Sequence, residues 1–394
     1  MFRHKPQRLV QSHLFKTKTL SNPSFNYLQY LFFNKNVKTL AGYYKVPTYS
    51  FSSSQNPQRT VFQEEELPLL KNDVPSKELP RFTKIMKKYS KCKDLTDSEI
   101  QSVSLILNNL ADAHERGANS PKAYRYLIED EGLYLKAGIK DTFHLAENHY
   151  KRAMIDKFQR NWIQEENNLN ETFRICQLLE DNPKARSLML DCKCALAYLF
   201  WTQRTDFDRA LSLYNSVLEN IGDLSEKVLP DYLMEVHKMI GHIHSKKNDI
   251  DKAIDSWTKC LELAIKYYGE NSNHAYTFYD HIATFLRQRG QSQRALPYAQ
   301  KNVEVAPKVF SKDSIEVLYS HTMLGHVYLA LKDDTQALNS YQKALEIYKV
   351  IYDKSPEYYY GVWIYREMEM IQVSIDDIAK RKQSNEKQNN IREK

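Results

Sequence analysis

An apolar pattern returns along this chain at a fixed interval. Three segments align without gaps: His237 to Leu261, Tyr279 to Val303 and His321 to Leu345. In each, a small residue (Gly241, Ala283, Gly325) stands 12 positions before an alanine (Ala253, Ala295, Ala337), and both sets recur every 42 residues. Apolar positions fall at helical spacing on either side, with Ile240, Ile282 and Leu324 before the turn and Leu261, Val303 and Leu345 after it. Between them, Lys247-Asn248-Asp249, Gly290-Gln291 and Lys332-Asp333-Asp334 interrupt the pattern with helix-ending and capping types. Each unit therefore reads as a helical hairpin whose small residues let its two helices approach closely. Its apolar face is covered only when a neighbour stacks on it, which predicts a solenoid.

Weaker copies continue upstream. Ala111 and Ala123 are again 12 apart, predicting a first hairpin at 97–136. Ala197 and Ala210, with Tyr214 and Val217, fit a further unit if one residue is inserted in its turn. Leu145 to Ala153 reads like the second helix of another, and residues 160–180 read helical without a clear phase. The expected array is about six hairpins over 97–353, sharpest at 235–350. Residues 61–96, with Pro68, Pro75 and Pro80, are expected to form a linker and lead-in helix. A closing helix is expected at 354–380, with Tyr359, Val362, Trp363, Tyr365, Met368, Ile371 and Ile375 as its apolar stripe. Residues 381–394 read as a disordered charged tail.

Composition narrows the chemistry. Glycine is scarce, 10 in 394 residues, and no pair has the spacing of a Walker A loop or of G-x-G-x-x-G. That argues against the familiar phosphate-cradling sites. No apolar run approaches the roughly 20 residues a membrane-spanning helix needs. Charge is uneven. Residues 1–63 hold nine Lys or Arg and no Asp or Glu, leaving 47 basic and 49 acidic side chains in the remainder. An acid-free stretch rich in Arg, Lys, Ser and Asn predicts a mitochondrial transit peptide over residues 1–60, or else a retained basic arm.

The repeat resembles the tetratricopeptide repeat, and its 42-residue period resembles the kinesin-light-chain type. Tyr268-Gly-Glu-Asn-Ser-Asn-His274 sits where that type has a connector containing glycine, acid and histidine, and Phe310 to Asp313 and Tyr352 to Pro356 match it in place. The fold class implied is all-α, a right-handed superhelical solenoid of about six such hairpins with a C-terminal capping helix. The resemblance also implies a partner-binding concavity lined by the first helices. Carried over position by position, the groove comprises Lys238, His242, Ser245 and Lys246; Asp280, Thr284, Arg287 and Gln288; and Tyr319, Thr322, His326 and Leu329. Repeats that grip chaperone tails use lysine followed by asparagine on this face. His242 stands where the asparagine is expected, which disfavours that ligand.

Other candidate chemistry is thin. Cys192 and Cys194 are two apart on a predicted helix and so face about 200° apart, an awkward arrangement for one metal. His237, His242 and His244 are spaced 5 and 2, neither of which is the i, i+4 spacing zinc favours. No G-x-S-x-G, H-E-x-x-H or cysteine-protease context occurs. The expectation is a non-enzymatic protein without cofactor or metal. It would act as a protein-interaction scaffold at the mitochondrial matrix or the matrix face of the inner membrane. There it would serve as assembly factor for, or accessory subunit of, a large complex (respiratory chain, ATP synthase or mitoribosome). Two alternatives are an organellar RNA-binding helical repeat and a cytosolic cargo adaptor. The near-neutral body and the 42-residue period argue against RNA, and the lack of a heptad segment in 64–96 argues against the adaptor.

Overall fold

The computed structural model describes residues 97–116, 119–223, 229–354 and 361–392, all within the unit Gln58–Lys394. Residues 1–96, with the expected transit peptide, linker and lead-in helix, lie outside the described residues. Among the described residues the elements are helical and pack in chain order. Six hairpins follow one another: α1 Asp97–Arg116 with α2 Ser120–Lys136, α3 Phe143–Phe158 with α4 Trp162–Leu178, and α5 Pro183–Leu199 with α6 Phe207–Glu219. Next come α7 Leu229–Lys246 with α8 Ile250–Tyr268, α9 Asn273–Gln288 with α10 Ser292–Val309, and α11 Ile315–Ala330 with α12 Asp334–Lys354. A last helix, α13 Gly361–Arg392, packs on α12.

The turns inside the hairpins are built alike. Arg160, Asn248, Gly290 and Lys332 each adopt a left-handed conformation, with φ of 61°, 63°, 72° and 63°. The next residue then donates its N–H five residues back: Asn161 to Asp156, Asp249 to His244, Gln291 to Leu286 and Asp333 to Tyr328, at 2.8–3.0 Å. These bonds satisfy carbonyls that the helix end would otherwise leave unpaired. Hairpin three differs by one residue. There Phe200–Arg204 forms a single π-helical turn, Thr205 takes the left-handed position, and Asp206 N–H donates six back, to Phe200. The inserted residue inferred between Ala197 and Ala210 is absorbed in this π-turn. Restart chemistry is equally local: Ser272 and Ser314 accept from the N–H groups of Ala275 and Val317 as N-caps.

Small residues set the spacing within each hairpin. Ala253, Ala283, Ala295 and Ala337 are fully buried. A Cβ on Gly241 would lie 2.3 Å from Trp257 Nε1, and one on Gly325 would lie 2.5 Å from Tyr341 Cε1. In hairpin five the pairing is evened out. Ala299 stands where Trp257 and Tyr341 stand in the flanking hairpins, and Ala283 there carries the Cβ that the two glycines lack. Glycine pairs with a large ring and alanine with alanine, so the volume at this contact is shared between the two helices.

Two expectations are corrected. Leu145–Ala153 lies on α3, the first helix of hairpin two, not a second helix. Its phase is hidden because Glu165 occupies the slot 12 residues after Ala153 where the other hairpins place alanine. The expected disordered tail is helical through residue 392, because α13 continues past 380. Ile371 and Ile378 are buried against Ala337, Tyr341 and Ala344, and Arg381 pairs with Asp334 at 2.9 Å, holding the far part of α13 to the start of α12.

Candidate functional site

The sequence-derived groove residues lie on α7, α9 and α11. The α7 positions form one neighbourhood around aromatic rings. His242 stacks parallel to Trp201 of the π-turn at 6.0 Å and meets Trp257 and His281 edge-on at 5.5 and 5.2 Å. Burial, with help from His281, Lys238 and Lys246, lowers its pKa to about 3, so it is neutral at physiological pH. His281 is lowered to about 4 by burial and by Lys238. Lys238 holds Glu235 at 2.5 Å, and its carbonyl accepts the Trp257 indole N–H at 3.2 Å. Lys246 is exposed.

On α9, burial raises Asp280 to about 6, while Thr284 points its hydroxyl at Met323 Sδ of α11, 4.0 Å away. Arg287 is half-buried and lies close enough to His326 to help burial lower that histidine to about 4. His326 also meets the Tyr341 ring edge-on at 5.5 Å. Tyr319 packs against the Leu318–Tyr348 cluster. Thr322 is 2% exposed and donates its hydroxyl to the Leu318 carbonyl, so it faces the interior. The charged and ring-bearing groove positions thus divide. Lys246, Lys238 and Arg287 bring charge, whereas His242 and His326 bring neutral rings.

Sequence reasoning missed a buried polar network in the first two hairpins. Asp130, fully buried, accepts from Asn108 and Asn148 and contacts His144 Nε2 at 2.6 Å. Burial raises its carboxyl, but the His144, Ser104 and Asn148 hydrogen bonds outweigh that and hold it below the usual range. Ser104 Oγ lies 2.9 Å from the same His144 nitrogen. A serine–histidine–aspartate relay needs separate ring nitrogens for the nucleophile and the carboxylate, so this set is not one. Next to it, Arg152 and His149 hold Glu131 at 2.9 and 3.2 Å, and Asn168 donates to Asp156 at 2.8 Å. Glu165, 1% exposed, is pushed up to about 7 by burial, which nearby Lys157 partly offsets. The available signal was Glu165, Asn168 and Thr172 on one helix face, where the repeat wants apolar residues.

The four cysteines among the described residues are buried. Cys192 donates to the Leu169 carbonyl, and Cys194 Sγ lies 3.3 Å from Tyr232 Oη. Burial raises both thiols, Cys194 to about 12, which keeps them protonated.

A tetratricopeptide-repeat profile matches residues 273–349, and a second matches residues 236–266. Residues 236–349 carry tetratricopeptide repeats. Similar solved structures include a signal-transduction ATPase with numerous domains from Pyrococcus horikoshii that has a tetratricopeptide-repeat sensor. It aligns at 15% identity and a TM-score of 0.51 over 75% of this chain and 41% of that one, and at that identity it shows the fold alone. The C-terminal part of a tetratricopeptide-repeat protein from Cytophaga hutchinsonii aligns at 15% identity over 86% and 98%, with a TM-score of 0.47. Kinesin-light-chain-like repeats from Podospora anserina align at 13% over 52% and 95%, with a TM-score of 0.39. No curated protein matches the sequence.

Proposed function

We propose that this protein is a non-enzymatic interaction scaffold of mitochondria, an assembly factor for or accessory subunit of a large complex, which receives a protein segment along the first helices of hairpins four to six. The observation that carries the reading is the division of the groove positions on tetratricopeptide repeats. Lys246 and Arg287 bring cationic charge on α7 and α9, and neutral His242 and His326 rings belong to the same positions. Cations beside flat rings suit a segment bearing carboxylates and apolar side chains. The mitochondrial part rests on sequence, on nine basic and no acidic residues in the first 63.

The test has two arms. Residues 1–60 fused to a reporter should carry it into mitochondria; a reporter that stays in the cytosol removes the organellar part. Partners recovered by mild-detergent pull-down from mitochondria should be lost with Lys246→Glu/Arg287→Glu, while helical content and melting temperature hold. Lys238 is left in place because its ion pair with Glu235 would confound a reversal. Full recovery with the double variant would place binding away from these helices.

A further inference from the structure

Gly132, Gly241 and Gly325 all lie in helix interiors, where glycine weakens a helix relative to alanine. Two have a reason within the chain, the rings of Trp257 and Tyr341 pressed against them. Among the described residues Gly132, on α2, has none: a Cβ there would meet nothing within 4 Å. It is flanked by two large exposed aliphatics on the same face, Ile128 at 48% and Leu135 at 47% exposure. Along the other side of Gly132 run exposed Glu129 and Lys136.

We propose that this face of α2 is a homodimer interface, in which α2 packs antiparallel against α2 of a second copy about a two-fold axis at Gly132. The argument is self-complementarity. A two-fold axis lying in the contact plane and perpendicular to the helices keeps each flank on its own side and reverses its direction. Residues on opposite sides of Gly132 then face each other. Ile128, four before the glycine, meets the partner's Leu135, three after it. Glu129, three before, meets the partner's Lys136, four after. Each contact is made twice, apolar on apolar and anion on cation. Arg125 falls beside the C-terminal end of the partner's α2, where a cation is favoured. The bare Gly132 backbones let the axes approach closely, which gives this glycine a packing reason that the described residues of one chain do not. A parallel two-fold would instead exchange the flanks and set Glu129 and Lys136 on the partner's Ile128 and Leu135. The antiparallel pairing alone satisfies both flanks.

Sedimentation of the full chain across the micromolar range tests this. Concentration-dependent dimerisation is expected for the wild type. Glu129→Lys and Lys136→Glu should each raise the dissociation constant roughly ten- to thirtyfold, because two attractive pairs become repulsive. An equal mixture of the two single variants should form heterodimers at near wild-type affinity, since every pair is then opposite in charge. Gly132→Gln should abolish dimerisation while raising the melting temperature of the monomer, which separates a lost interface from lost folding. A monomeric wild type, single variants that associate as tightly as wild type, or a mixture that fails to recover would each overturn the proposal.

Discussion

Gly241→Ala is the sharpest probe of how the hairpins close. In an open helix this change stabilises by about 1 kcal/mol, because alanine is the better helix former. Here the new Cβ would lie 2.3 Å from Trp257 Nε1 and 2.6 Å from its Cδ1, far inside contact distance. Trp257 is 1% exposed, and its N–H donates to the Lys238 carbonyl at 3.2 Å, so the ring cannot withdraw without breaking that bond. Overpacking costs about 1–3 kcal/mol and the hydrogen bond about 1 kcal/mol more, so the variant should be destabilised by about 1–3 kcal/mol net. The decisive comparison is made in a Trp257→Ala background, itself about 3–5 kcal/mol less stable than wild type. With the ring gone, Gly241→Ala recreates the Ala283/Ala299 pairing of hairpin five and should stabilise by about 1 kcal/mol. The sign reverses, a coupling of about 2–4 kcal/mol. Urea unfolding of the four proteins, followed by circular dichroism, reads it. If Gly241→Ala destabilises equally in both backgrounds, the ring does not decide the small-residue slot and the packing argument fails.

Ala295→Trp should lower the melting temperature, because this fully buried position has no room for a ring and overpacking costs about 1–3 kcal/mol or more; an unchanged melt would refute the close approach of α9 and α10. His242→Phe should flatten the acid limb of stability. The folded-state pKa of His242, about 3, lies below its unfolded value, so its contribution is intact above that value and declines as pH falls. Between pH 7 and 5 the wild type should lose about 2 kcal/mol more than the variant; equal losses would mean that the ring is solvated. Glu165→Gln should stabilise the protein at pH 7 by about 2–3 kcal/mol, since burial raises this carboxyl to about 7 and the amide removes the cost of ionising it. The gain should fade as pH falls toward about 4, and a destabilisation at pH 7 would show that attraction to Lys157 dominates instead.

The sequence alone determined the period, the hairpin and the places where helices must touch. Gly241, Ala253 and their copies are legible because backbone approach tolerates only small residues, so the constraint is written at single positions and repeated every 42. The turns were legible in part. Asn248 and Gly290 announce a left-handed residue by type, whereas Arg160 and Lys332 take the same conformation without the type to signal it. Tertiary structure decided what depends on partners distant in sequence. Thr322 matches the family's groove position yet is enclosed, and His242 is a neutral ring because Trp201, Trp257 and His281 surround it. Hairpin two lost its phase to Glu165 because a polar residue in an apolar slot looks like surface until its neighbours are known. Residues 381–392 continue α13, whose Ile378 and Arg381 rest on α12, contacts that composition does not encode. Spacing along a helix fixes which residues share a face, but only the stacked neighbours decide which faces meet water.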